Sequence, residues 1–202
     1  MRRIAVFLLV LFGFANQSLA QSQDRKPTLS KDQLTEEQVA VYHAFLQFYA
    51  KESDRMLYVA DTTDWLDVSE VSQDAECSRS FGRIQFESLN ESGPTIHRLD
   101  PTLAIAGRID LVDSASQSEK VRQNDPSKTM HQGKTVDRAV SDAFASALLT
   151  LSEIGFDKNH HKAVMSYTFS CGRLCGNTAV VMLKRVGRNW KLTKQSCGEG
   201  VS

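Results

Sequence analysis

Apolar and polar positions alternate most strictly in the C-terminal quarter of the chain, where Ala163, Met165, Tyr167 and Phe169 are interleaved with Ser166, Thr168 and Ser170. Period two sends successive side chains to opposite faces, so a half-buried strand is expected there. Thr178 to Val186 reads as a second strand, and Gly187-Arg188 is a two-residue connection to a third over Asn189 to Ser196. The three make an antiparallel meander, with the Cys171 to Asn177 loop at one of its ends.

The N-terminal half has one strong local signal. In Thr35-Glu36-Glu37-Gln38 the Thr35 hydroxyl can accept from the Gln38 amide while the Gln38 side chain reaches back to the Thr35 amide, a capping box. It predicts a helix over 36–51, apolar nearly all round and therefore mostly buried. Met56 to Ala60 is a short apolar run that reads as an interior strand, closed by Asp61-Thr62-Thr63-Asp64. Strands are also expected over Phe81 to Phe86 and Ala104 to Val112, with Gly93-Pro94 and Asp100-Pro101 punctuating the loop between them. Residues 113–135 are almost wholly polar and read as an exposed excursion, with room for a short helix around 118–123. Val136, Val140, Ala143, Phe144 and Ala147 recur at helical spacing and predict a second helix over 136–147; Leu148 to Ile154 either extends it or forms a strand. The fold class is α+β: an antiparallel sheet with a C-terminal three-strand meander, packed by the two helices. Residues 34–202 read as a single domain behind a flexible tail at 21–33.

Residues 1–20 stand apart. Arg2 and Arg3 precede an unbroken apolar run from Ile4 to Phe12, and Ser18-Leu19-Ala20 offers small residues before a cut near Ala20. That is the pattern of a secretory signal peptide, and its run is too short for an ordinary membrane span. The leader carries two basic and no acidic side chains, so the remaining 182 residues hold 22 basic and 24 acidic groups, a formal charge of −2. Near-neutral charge excludes a polyanion-binding surface as the organising feature, so no nucleic-acid partner is expected. No transmembrane segment is expected in the mature chain. At this length a domain buries close to about 70% of its unfolded surface and does not need disulfides to fold.

All four cysteines follow the leader, and an oxidising compartment favours their pairing. Four cysteines allow three connectivities. Cys171 with Cys175 is preferred because a loop containing Gly172 brings their α-carbons within bridging range, which leaves Cys77 with Cys197. Two buried free thiols in place of the long bridge are the alternative.

Candidate chemistry is sparse. His43 lies on the first helix, and with Tyr42 or Tyr49 it would form an acid/base pair if a pocket opened beneath that helix. A cavity of roughly 300 Å³ or more, lined by apolar residues and converging on His43, would favour such a site, and a filled core would count against it. His160 and His161 are adjacent and read as a solvated loop rather than metal ligands. Asp61, Asp64 and Asp67, three apart, lack the alternation of a calcium loop and read as caps and turns. Trp65 and Trp190 read as core or edge aromatics. Three residues separate Cys171 from Cys175, where disulfide exchange usually has two and a helix N-terminus, so a structural bridge is preferred over a thiol-disulfide site. Hydrolase, phosphate-loop and dinucleotide fingerprints are absent, and no cofactor or metal is expected.

Ser152-Glu153-Ile154-Gly155-Phe156-Asp157, Cys171-Gly172-Arg173-Leu174-Cys175-Gly176 and Leu183-Lys184-Arg185-Val186-Gly187-Arg188-Asn189-Trp190 form a block of roughly 50 residues with several fixed positions. It resembles a family of secreted bacterial proteins, themselves uncharacterised, that share S-x-[IV]-G-F-[ND], C-G-x-L-C-G and L-x-K-x-x-G-x-W. The resemblance implies export and a β-rich C-terminus, and favours a strand over residues 148–154. Many such proteins end in Trp-Ile-Ser, where this chain has Gly198-Glu199-Gly200-Val201-Ser202. A helix before a Gly-x-x-Trp meander also resembles, more distantly, the nuclear transport factor 2-like superfamily, whose cone-shaped sheets often hold a pocket. The function expected is therefore an exported soluble protein with a non-catalytic binding or structural role in the cell envelope or outside the cell. The alternative is a small-substrate enzyme or ligand carrier with a pocket between helix and sheet.

Overall fold

The computed structural model describes residues 27–51, 53–82, 84–88 and 95–201. The expected leader and its cleavage point, the first part of the 21–33 tail and the Gly93-Pro94 pair lie outside the described residues. Within the tail, β1 (Thr28–Leu29) pairs in parallel with β4 (Thr95–Ile96), so this part is tied down.

The first helix, α1 (Glu36–Lys51), starts at the capping box: the Thr35 amide donates to Gln38 Oε1 at 2.7 Å and the Gln38 amide to Thr35 Oγ1 at 3.2 Å. Its apolar pattern does not produce burial all round. Val41, Tyr42, Phe45, Leu46 and Ala50 are buried against the sheet, whereas Ala40, His43, Gln47 and Phe48 are exposed, because α1 lies across one sheet face and none of the described residues covers its outer side.

The main sheet runs β10 (Asn189–Val201), β9 (Cys175–Val186), β8 (Lys162–Gly172), β6 (Leu148–Leu151), β2 (Leu57–Ala60), β5 (Ile109–Val112). From β10 to β6 all pairings are antiparallel, including the expected meander, while β2 is parallel to both β5 and β6. Parallel neighbours need crossovers, and those crossovers are where the remaining helices lie. Residues 148–151 are a strand, as the family resemblance favours, and the second expected helix, α6 (Val136–Ala145), stops before them.

Ala163 and Met165 of β8 face α1 together with Val181, Leu183 and Trp190. Val164 and Met182 point the other way, into a second cluster built on α2 (Val68–Gln73) and α3 (Ala75–Phe81). The strand expected to be half-buried is thus covered on both faces over 163–165. Residue 155, the glycine of the Ile-Gly-Phe motif on β7 (Gly155–Asp157), has no room for a side chain, since a Cβ there would collide with Val68 Cγ1 of α2. β7 pairs with β8 and with β3 (Phe86–Ser88).

Three expectations need correction. Phe81 to Phe86 is not a strand: Asp74 caps α3 by accepting from the Cys77 amide at 2.7 Å, Cys77 and Phe81 are buried one turn apart, and β3 begins only at Phe86. In Ala104 to Val112 only the last four residues are a strand, because Gly107 (φ 75°) reverses the chain and the Ile105 and Ile109 backbones bond to each other. The 113–135 segment is not a structureless excursion. It folds into α4 (Ser114–Gln123) and α5 (Pro126–His131), capped by Asp113 and Asp125 and seated on buried Gln117, Val121 and Thr129.

Both disulfides join the cysteines as paired above, with no free thiol. Cys77–Cys197 fastens α3 to β10 on the face away from α1, and Cys171–Cys175 closes the turn between β8 and β9.

Candidate functional site

A groove of about 850 Å³ opens between the C-terminal half of α1, α6 and the sheet face that α1 crosses. Aromatic rings make its walls: Phe45, Phe48 and Tyr49 from α1, Phe144 from α6, Tyr167 and Phe169 from β8. The period-two placement of Tyr167 and Phe169 sends both rings into the groove, and helical spacing brings Phe45 and Tyr49 to the same side of α1. Tyr49 lies 5.6 Å from Phe45 and 5.5 Å from Tyr167, centroid to centroid, and Phe144 lies 5.9 Å from Phe169. These separations suit aromatic contact. Phe48 and Phe144 remain 48% and 41% exposed, which leaves an apolar rim open to solvent. The polar groups are few and lie mostly at one end, where Ser53, Asp54 and Arg55 line the groove and the Arg55 guanidinium stands 5.7 Å from the Phe144 centroid and 4.0 Å from the Asp54 carboxylate. The Asn177 amide donates to the Tyr167 hydroxyl at 3.4 Å. Burial, reinforced by the Tyr167 phenol, pushes the Tyr49 hydroxyl up to about 12. Burial and Glu199 raise the Tyr167 hydroxyl as well, so both phenols stay neutral in ordinary buffers.

The acid/base candidates do not come together in this groove. Tyr42 is fully buried, donates to the Ser152 carbonyl at 2.9 Å, and is held well above its ordinary pKa by burial and by Glu153. Tyr49 lines the groove, but His43 lies on the exposed side of α1 beside Gln47, 3.3 Å away. It borders a separate, more polar hollow against Arg188 and Trp190. His160 and His161 diverge. His160 stacks on Phe156 at 4.8 Å and meets Glu37 at 2.6 Å, whereas His161 is exposed. Asp61 pairs with Arg98, Asp67 accepts from the Ser69 amide and hydroxyl, and Asp64 uses its backbone to join Leu151 and Glu153. Trp190 is core, while Trp65 is 45% exposed. Among the described residues no three of His, Cys, Asp and Glu gather as a metal site, and no helix is long and apolar enough to cross a membrane.

A buried polar cluster escaped the sequence reading. His97 Nδ1 lies 2.9 Å from Glu153 Oε1, with both side chains under a tenth exposed. The Thr63 hydroxyl donates to the same carboxylate oxygen and receives the His97 amide at 2.8 Å. The cluster joins the end of β2, the loop after β4 and the bend between β6 and β7. Its hydrogen bonds tie the bend to the other two segments.

The Cys171–Cys175 turn forms the end wall of the groove, and its conformation depends on Asp125. That carboxylate, buried at the start of α5, accepts from the Ser127 hydroxyl and amide and, at 2.6 Å, from the Arg173 amide inside the disulfide loop. Gly172 (φ 146°) passes so close that a Cβ would stand 2.8 Å from Pro126 Cδ. The Ser127 hydroxyl, followed by the Arg173 amide, holds the Asp125 carboxyl at about 2. A folded-state value below the unfolded one, roughly 3.9, adds stability that is complete above that pH and disappears as pH falls toward about 2. Asp125→Asn is expected to cost about 1 to 2 kcal/mol at neutral pH. Urea unfolding of both proteins across acid pH checks this: the gap should be constant above about pH 4 and close below it, and a gap that widens in acid contradicts the assignment.

Comparison with family models, with curated proteins and with solved structures gives no match for the chain.

Proposed function

We propose that this chain is an exported, non-catalytic binding protein whose ligand is a small, flat, largely apolar molecule held in the aromatic groove. One observation carries the reading: an open groove of about 850 Å³ walled by six aromatic rings with few polar groups. That volume falls within the range of small-molecule sites, about 300–1,000 Å³, which are mostly apolar with a few polar groups that fix orientation. Neutral Tyr49 and Tyr167 hydroxyls and the Asn177 amide suit a ligand with one or two uncharged polar atoms. Export is supported by the leader-like residues 1–20 and by two disulfides, which persist in oxidising compartments.

The test uses Nile red, an uncharged planar probe. Saturable binding with a blue-shifted emission is expected. Phe144→Ser and Phe48→Ser, both at partly exposed rings, should each weaken it by about tenfold, or about 1.4 kcal/mol, while leaving the circular dichroism spectrum unchanged. Absence of saturable binding, or equal binding by folded variants, rejects the reading.

A further inference from the structure

On the other side of the Cys171–Cys175 loop lies a second cavity of about 780 Å³, bounded by α4, α5 and the end of β8. It shares the disulfide loop with the aromatic groove as a wall, but its chemistry differs. Its floor is apolar, made by buried Val121 and Leu148, and Leu174 at the loop tip stands beside it 80% exposed. Arg122, Lys128 and Arg173 line it, with a single carboxylate, Asp125. Asp125 turns its oxygens to Ser127, the Lys128 amide and the Arg173 amide, and so is spent on backbone and hydroxyl donors rather than on the cations. Arg122 pairs with Glu119 on its own helix. No described carboxylate forms an ion pair with the Lys128 ammonium or the Arg173 guanidinium, so both exposed cations can take a ligand above an apolar floor. A guanidinium with an ammonium suits a carboxylate or phosphate.

We infer that this cavity binds an amphiphilic anion, with its carboxylate or phosphate head between Lys128 and Arg173 and its hydrocarbon tail on Val121, Leu148 and Leu174. The site is independent of the aromatic groove, and neither assignment needs the other.

Decanoate is the probe, titrated calorimetrically into the whole protein. Saturable binding that weakens as salt is raised is expected, because exposed charges are screened. Lys128→Gln with Arg173→Gln, two exposed side chains, should reduce decanoate affinity by tenfold or more while leaving binding of uncharged decanol unchanged. Leu174→Ser should weaken both, and Phe144→Ser neither. Equal decanoate binding by the double variant, or no saturable binding at all, overturns the inference. Competition by inorganic phosphate as effective as that by decanoate removes the role of the apolar floor and also overturns it. Recruitment to phosphatidylglycerol vesicles without decanoate binding assigns a membrane surface instead.

Discussion

Replacing Cys77 and Cys197 together by alanine is expected to lower stability by about 5 kcal/mol, because the bridge closes a loop of 120 residues and loop-closure entropy grows with loop length. The site makes the loss felt. Both cysteines are buried in the cluster that binds α2 and α3 to the sheet, and that cluster is small. Without the bridge, this layer depends on Leu66, Val68, Val71, Phe81 and Phe86 against Val164 and Met182. A chain of this size loses roughly 2 to 4 °C of melting temperature per kcal/mol, so a shift of about 10 to 20 °C should accompany the change. Removing Cys171 and Cys175 instead opens a loop whose ends are four residues apart and should cost about 2 kcal/mol in the same treatment. Denaturant unfolding of the two double variants checks the order. A Cys77/Cys197 variant within about 1 kcal/mol of the parent, measured under oxidising conditions, contradicts the account.

Glu153→Ala is the second large effect, at about 3 to 5 kcal/mol, the usual consequence of stripping one partner from a buried polar pair. The carboxylate holds His97 Nδ1 at 2.9 Å and the Thr63 hydroxyl; without it the ring nitrogen loses its buried partner and the hydroxyl keeps only the His97 carbonyl, at 3.3 Å. Glu153→Gln keeps an oxygen where Oε1 now lies and should cost less. Its new amide would occupy the place of Oε2, a buried atom with no described hydrogen-bond partner, so some loss remains. His97→Leu leaves the buried carboxylate with the Thr63 hydroxyl alone and should cost about as much as Glu153→Ala. The decisive measurement is the double variant, His97→Leu with Glu153→Leu, which removes both polar groups and should lose clearly less than the sum of the single losses. Strict additivity would show that the two side chains do not act together.

The fraction of this structure readable from the chain follows from where local chemistry decides the outcome. The helix 36–51 was legible because Thr35 and Gln38 solve its first turn by themselves. The meander was legible because period two survives in β8 and because Gly187 (φ 63°) makes a two-residue turn. Helices α2 and α3 were not. They are six and seven residues long, with apolar residues too few for a clear period, and they form because Gly155 lets Val68 approach and Cys197 captures Cys77. In α4 and α5 polar composition hid a signal that was present: Asp113 before a helix-compatible run, and Asp125 directly before Pro126, an N-cap followed by proline at the first helical position. Much of the candidate site was written in the sequence without its arrangement. Period two puts Tyr167 and Phe169 on one strand face, and helical spacing puts Phe144 on one helix face, but nothing local says that these faces meet around an opening. His97 and Glu153 are 56 residues apart, and the available hint was a glutamate two positions past the apolar strand 148–151.

The position of β2 has a consequence for the order in which the chain can assemble. Strands β8, β9 and β10 are neighbours in both sequence and space and can find register as soon as they are made. β2 is the earliest strand of the large sheet, yet Tyr58 must await Asp110 on one side and Leu148 on the other. Cys77 waits longer, for a partner 120 residues away. A chain synthesised from its N-terminus therefore carries an apolar strand with an open edge until residue 148 arrives and an unpaired thiol until residue 197 arrives, and through that interval its protection has to come from outside the molecule.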